Sequence, residues 1–388
     1  MLRDLTPQAL MMGVLAAFVG YAASFAIVLA GLAGVGASPA QAATGLFFAS
    51  LGMGLASLVL PLVTRTPAAV AWSTPGAAFL AAGAALPGGF AEAVGALILC
   101  AGLLFLTGIV PALGRIVGAI PKPLASALLA GVLFRLCLAP ALGLASDPWL
   151  VAPVIAAWAL GLAWHRMAAM PLAVAAFLAV LAFGVDVPAA SGPVLRLPEL
   201  APVAPLFTWN AALSVALPLY LVTMAGQNIP GFAVLDLNGY PVNRGFLLKG
   251  TGLVSLGIAP FGAVPVNMSA ITAAMMAGPD AGADPARRYW AAVVSGGIYC
   301  ALALAAGAVA ALAVVAPAAL ITGVAGLALI PAFVAAMRAA FAEGGQTEAP
   351  AVTFLVVASG MAAFGIGGAV WGLGLGAAIW TLTARARR

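Results

Sequence analysis

Polar residues are so sparse in this chain that each cluster of them asks for a use. The stretch FGAVPVNMSAIT, Phe261–Thr272, places Pro265, Asn267, Ser269 and Thr272 within otherwise apolar sequence. TMAGQNIPG, Thr223–Gly231, sets the amides of Gln227 and Asn228 side by side ahead of Pro230, and WSTPG, Trp72–Gly76, offers Ser73 and Thr74 beside Pro75. Hydroxyls need an adjacent base to act as nucleophiles, and the sole histidine, His165, stands beside Arg166 with no acid near it in the sequence. What amides and hydroxyls do unaided is hydrogen-bond a ligand. Non-helical backbone at membrane depth is tolerated only where it lines a cavity or is buried in protein. Residues near 72–76 and 264–269 are therefore expected to be extended, each leading into a half-helix whose N-terminus points at the middle of the protein. Helix N-termini carry unpaired N–H groups and partial positive charge, so two of them converging would hold an anion, most simply a carboxylate. Pro75 or Pro265 alone reads as a kink. Two such stretches at matched positions, with Thr74, Asn267 and Ser269 beside them, read as a site. Gln227 and Asn228 are open to two uses, interhelical hydrogen bonding or contact with the substrate, the latter for Gln227 at least.

The elements that must position these groups follow from composition. The 388 residues are 65% hydrophobic and 6% charged, with a mean hydropathy of +1.18, against about 25% charged residues in a soluble domain. Runs such as Leu10–Val35 and Tyr289–Val315 exceed the ~20 apolar residues a helix needs to cross a bilayer and recur throughout. The chain is thus expected to be an all-α polytopic membrane protein; a barrel would read as short alternating segments. The first run is longer than the roughly 7–15 residues of a signal-peptide core. Cys100, Cys137 and Cys300 all fall in apolar spans and suggest neither disulfide nor metal site. The net charge of +5 comes from residues scattered in ones and twos between spans, which serves topology and gives no nucleic-acid surface.

Fourteen membrane segments are expected, centred near residues 20, 51, 78, 102, 131, 156, 178, 220, 252, 271, 302, 328, 356 and 375. Lys and Arg concentrate in cytoplasmic loops. With both termini cytoplasmic, this count puts twelve of the fifteen basic residues inside, Arg196 outside, and Arg135 and Lys249 within spans. The polar, Pro-rich interruption Asp186–Pro205 divides the chain seven and seven. Seven is odd, so the second half begins on the opposite side and the repeat is inverted: residues 1–190, a periplasmic linker 191–208, and residues 209–388. AFLAAG at Ala78–Gly83 precedes AITAAM at Ala270–Met275 by 192 residues, and LLAG at 128–131 precedes Ala325–Gly326 by about 195. Short, interrupted segments at corresponding positions of two inverted halves point to a transporter's central site.

GYAASFAIVL in the first span, TMAGQNIPGFAVL in the eighth and PFG…VNMSAITAAM in the tenth together resemble the bacterial benzoate transport (BenE) family, over essentially the whole chain. That family is similar to uracil permeases and sulfate/bicarbonate transporters. The resemblance implies fourteen segments in a 7+7 inverted repeat. It implies a core domain of segments 1–4 and 8–11, a gate domain of segments 5–7 and 12–14, and short strands in segments 3 and 10 meeting at the substrate. It places Gln227 and Asn228 where nucleobase relatives carry a Glu-His pair, Asn267 in the strand-to-helix turn, and Tyr21, between Phe18 and Phe25, facing the site. The expected substrate-binding set is Tyr21, Phe25, Trp72, Ser73, Thr74, Gly76, Gln227, Asn228, Asn267, Met268, Ser269 and Thr272. One departure is that Gly262-Ala263-Val264-Pro265 stands where the family would bring a Gly-His-type sequence.

Every Asp and Glu maps to a span end or a loop. A nucleobase permease wants a carboxylate to accept ring N–H groups; amides, hydroxyls and helix ends instead suit a substrate bringing its own negative charge, and Trp72, Tyr21 and Phe25 would wall an aromatic ring. Moving an anion inward against a negative-inside potential costs ~2.3 kcal/mol per 100 mV, so accumulation calls for a co-transported cation, here protons, with the substrate carboxylate itself as carrier. The function expected is proton-coupled import of a small aromatic carboxylate such as benzoate across the bacterial inner membrane. A nucleobase or other anion permease, or a channel-like conductor of the same fold, is the alternative. No enzyme activity, cofactor or metal is expected, and a homodimer is compatible with the sequence. GLGLG at Gly372–Gly376 reads as helix packing.

Overall fold

The computed structural model describes residues 4–22, 24–83, 86–185, 202–342, 346–363 and 366–386. Most of the expected linker, with Asp186, Arg196 and Glu199, lies outside them. Apolar stretches of this length satisfy their backbone as helices. The first half runs α1 (Pro7–Ala22), α2 (Phe25–Gly34), α3 (Pro39–Thr64), β1 (Val70–Trp72), α4 (Thr74–Ala82), α5 (Gly89–Ile109), α6 (Pro111–Gly118), α7 (Lys122–Cys137), α8 (Ala139–Ser146), α9 (Pro148–Trp164) and α10 (Ala169–Gly184). The second runs α11 (Trp209–Ala211), α12 (Leu217–Thr223), α13 (Ile229–Leu237), α14 (Arg244–Ile258), β2 (Val266–Met268), α15 (Ala270–Ala277), α16 (Tyr289–Leu304), α17 (Ala306–Val315), α18 (Ala318–Ala340) and α19 (Glu348–Ala358). It closes with the two-residue strands β3 (Ala362–Ala363) and β4 (Ile366–Gly367) and the helix α20 (Gly368–Ala386).

Elements stand at all fourteen expected centres. Among the described residues, six helical runs are long and apolar enough to cross a membrane: Pro7–Gly34, Pro39–Thr64, Gly89–Ile109, Lys122–Ser146, Trp209–Leu237 and Ala318–Ala340. The α16–α17 pair, bent by 58°, makes a seventh. The rest are shorter apolar helices or strand-plus-helix segments.

Helix α11 to α13 is continuous but widens twice into π-helix, over Ala212–Ala216 and Met224–Asn228. A proline follows each stretch by two residues, Pro218 and Pro230. Each lacks the N–H that the carbonyl four residues back, Ser214 or Gly226, would receive. Loosened turns of this kind recur at functional sites. The second carries Gln227 and Asn228. Close helix contacts rest on small residues. Gly31 of α2 lies so near α4 that a Cβ there would sit 2.5 Å from the Ala77 carbonyl oxygen.

Candidate functional site

Strands β1 and β2 pair antiparallel in the register Val70–Met268, Ala71–Asn267 and Trp72–Val266. The ladder is extended by Ser73 N–H to the Pro265 carbonyl (2.8 Å) and Ser269 N–H to the Ala69 carbonyl (2.9 Å). The second strand lies within the expected 264–269, whereas the first, Val70–Trp72, ends where the expected 72–76 begins. Thr74, Pro75 and Gly76 already form the first turn of α4, where Pro is tolerated because the missing N–H has no helical partner anyway.

In an antiparallel pair, alternate residues turn their backbone groups away from the partner strand. In a two-stranded ribbon buried in apolar protein those groups need other partners. Side chains supply them in matched fashion. The Ser57 hydroxyl on α3 donates to the Val70 carbonyl (3.1 Å) and accepts from Val70 N–H (3.2 Å). The Ser255 hydroxyl on α14 accepts from Val266 N–H (3.0 Å) and shares its one hydrogen between the Thr251 carbonyl of its own helix (2.7 Å) and the Val266 carbonyl (3.2 Å). Met268 N–H donates to Asn228 Oδ1 at 3.0 Å. Asn228 therefore secures the strand, the interhelical use the sequence left open. Asn267, fully buried, belongs to the ribbon too: with its amide turned so that nitrogen donates, it reaches the Ala71 carbonyl at 3.2 Å.

Each strand feeds a serine-capped half-helix. Ser73 Oγ accepts from Gly76 N–H (3.1 Å) and shares a 2.7 Å hydrogen bond with the Thr223 hydroxyl of α12. Ser269 Oγ accepts from Thr272 N–H at 3.4 Å. These caps stand 196 residues apart (269 minus 73), one helical turn more than the 192 read from AFLAAG and AITAAM. Gly76 has no room for a side chain, since a Cβ would lie 2.6 Å from both Ser73 Oγ and a Leu219 methyl. The hydrogen bonds of Ser73, Gly76 and Ala77 in α4, and of Ser269, Thr272 and Ala273 in α15, account for part of each first turn. The N–H groups of Thr74, Ala270 and Ile271 remain as first-turn donors. The Ile271 side chain is 63% exposed, while Ser269 and Thr272 on either side of it are buried.

Two polar atoms at this junction are buried without a partner among the described residues: Gln227 Oε1 and the Thr272 hydroxyl. Native interiors rarely leave such groups unpaired. Above the junction the rings gather: Tyr21 lies 5.0 Å from Trp72 and 6.3 Å from Phe25 between centroids. The Trp72 indole N–H donates to Ser24 Oγ at 2.8 Å, where the first span breaks between α1 and α2. Tyr21 and Phe25 line an apolar cavity of about 230 Å3 with Phe18, Phe177, Leu312 and Ile321. Of the twelve expected site residues only these two line it; Ser73, Asn228, Asn267, Met268 and Ser269 are occupied in building the junction.

Sequence reasoning missed Ser57, Ser255, Thr223, Ser24 and Glu92. The only signal for Ser57 and Ser255 is a serine in the helix before each strand, 13 and 11 residues ahead of the residue it serves. Glu92, expected at a span end, is in the first turn of α5 and only 2% exposed. It accepts from Gly88 N–H at 2.7 Å and from the Thr208 hydroxyl. At the far end of α15, buried Arg288 donates to the Ala277 and Gly282 carbonyls. Burial pushes the nearby Tyr240 phenol up, and the Arg288 guanidinium partly offsets this. Among the described residues no cluster of metal-ligating side chains occurs.

Two half-helices springing from a two-stranded ribbon, among helices long and apolar enough to cross a membrane, are an arrangement that membrane transporters build around a central site. The solved transmembrane domain of the cyanobacterial bicarbonate transporter BicA matches with a TM-score of 0.66 over 97% of this chain and 98% of that one, at 17% identity, a likeness of fold. The benzoate membrane transport protein (BenE) family profile matches residues 3–382, and the chain belongs to that family. Relatives include the inner membrane protein YdcO of Escherichia coli K12, 36% identical over 290 residues (73% of this chain, 72% of that one). The benzoate membrane transport protein of Acinetobacter baylyi is 30% identical over 288 residues (73% and 71%). The protein is a multi-pass membrane transporter, not an enzyme.

Proposed function

We propose that this chain imports a small aromatic carboxylate, benzoate or a close analogue, together with protons by alternating access across the bacterial inner membrane. The observation that carries the reading is the junction itself: two capped half-helix N-termini, with the unpaired Gln227 Oε1 and Thr272 hydroxyl beside them. Free first-turn N–H groups favour an anion, and the Tyr21–Phe25–Trp72 rings suit an aromatic body. Membership of the family and the printed function of the Acinetobacter relative point the same way. In this reading the chain has fourteen segments in a 7+7 inverted repeat, residues 1–190 and 209–388, with both termini cytoplasmic. Segments 1–4 and 8–11 form a core that rocks against a gate of segments 5–7 and 12–14. The 196-residue spacing of the serine caps and the matched Ser57 and Ser255 bonds support the repeat.

The described spans offer the junction no acid or histidine, so the substrate carboxylate is its own proton carrier: it is captured as the anion, takes up a proton while the site faces outward, and loses it to the more alkaline interior. Labelled benzoate uptake into proteoliposomes tests this. Saturable accumulation should follow an inward proton gradient, rise as external pH falls, and yield to unlabelled benzoate but not to uracil. Uptake indifferent to the gradient would remove the coupling, and competition by uracil would remove the substrate class.

A further inference from the structure

Arg135, near the C-terminal end of α7, stands in the middle of an apolar chain with little to do. Its Nη1 donates to the Ala82 carbonyl at the end of α4, at 3.3 Å. Among the described residues no carboxylate lies within ion-pair distance of it. Arg288 shows what an arginine devoted to structure looks like in the same protein: 8% exposed, with two carbonyls held at 2.7 and 2.8 Å. Arg135 is exposed instead, on the wall of a cavity of about 290 Å3 that Phe79, Val132, Val357, Met361 and Asn210 also line. Room for it is made by Gly360, whose φ of +65° suits glycine and where a Cβ would lie 2.4 Å from Arg135 Nη1. Asn210 accepts from the Ser214 hydroxyl at 2.9 Å, which turns its NH2 into the amide's remaining polar group. A guanidinium carries five donors, and a cation within membrane spans faces a cavity that has a use for it.

We propose that this cavity is a second carboxylate site, a vestibule in which Arg135 captures the substrate anion before it reaches the strand junction, with the ring against Phe79, Val132 and Met361. This rests on the proposed function, since it names where the same substrate first binds. It also ties capture to motion: a carboxylate that takes the guanidinium competes with the Ala82 carbonyl, and so with the contact between α7 and α4.

The test is the kinetics of labelled benzoate uptake in proteoliposomes for the wild type, Arg135→Gln, Arg135→Lys and Asn210→Asp. Losing a charge-assisted hydrogen bond should raise KM by roughly tenfold or more. Vmax at saturating benzoate should stay near that of the wild type, and lysine should recover part of the loss. Asn210→Asp, which leaves Arg135 in place but sets a fixed carboxylate in the cavity, should raise KM as well. An unchanged KM in Arg135→Gln and Asn210→Asp would overturn the proposal. So would a fall in Vmax and thermal stability at constant KM, which would make Arg135 a tie between two helices. A wild type with no saturable uptake would instead sink the proposed function, and the vestibule with it.

Discussion

The ribbon at the centre of this protein depends on two serines, and Ser255→Ala tests how much. The hydroxyl serves both the carbonyl and the N–H of Val266, at 3.2 and 3.0 Å, in a site with no solvent access. Removing it orphans the buried Val266 N–H at ~1–3 kcal/mol and takes from the Val266 carbonyl the share of the hydroxyl hydrogen that the Thr251 carbonyl, at 2.7 Å, leaves it. Ser295→Ala is the control. That serine is equally buried, but its hydroxyl donates only to the Ala292 carbonyl within its own helix at 2.8 Å. The carbonyl keeps its ladder partner, so the cost should be about 0.5–1.5 kcal/mol. Thermal unfolding of the purified protein in detergent reads the difference. Ser255→Ala and Ser57→Ala should both melt well below Ser295→Ala, and both should lose uptake because β2 and β1 set the half-helix directions. If all three melted together, the bracketing hydroxyls would not be holding the ribbon and the reasoning would fail.

The adjacent amides should part company. Gln227→Leu removes an atom that has no partner, so its melting temperature should hold or rise while uptake falls. Asn228→Ala strands the Met268 N–H and should lower stability by about 1–3 kcal/mol, measured by the same melt. Gly31→Ala drives a methyl into the Ala77 carbonyl and should cost roughly 1–3 kcal/mol as α2 is pushed off α4, with uptake reduced. Glu92→Gln weakens the latch from α5 to Thr208. The melting temperature should fall in the variant, and an unchanged one would count against the latch.

Much of the architecture was written in period and polarity. Long apolar runs leave helix as the main option in hydrocarbon, and matched Pro-containing polar stretches mark the two interrupted segments. The strand limits were legible only to within a few residues, because Thr74-Pro75-Gly76 fits either a strand end or a helix start and Ser73 decides by capping. The serine caps stand 196 residues apart and AFLAAG and AITAAM 192, because Ala-rich half-helices match themselves at every turn while single capping serines do not. Asn228 looked like a ligand because a buried amide must bond something; which partner it finds is a tertiary fact. Ser57 and Ser255 were invisible for the complementary reason, each being one ordinary hydroxyl in a long span until a strand edge is laid against it.

The most direct test of the central claim, that a carboxylate is bound at the strand junction, is gradient-driven benzoate uptake by the wild type, Gln227→Ala and Thr272→Val in parallel, at matched protein incorporation, since these two carry the unpaired polar atoms. Saturable uptake in the wild type and its loss in both variants is the predicted result. Uptake that survives both substitutions with unchanged KM would place the substrate elsewhere and contradict the account.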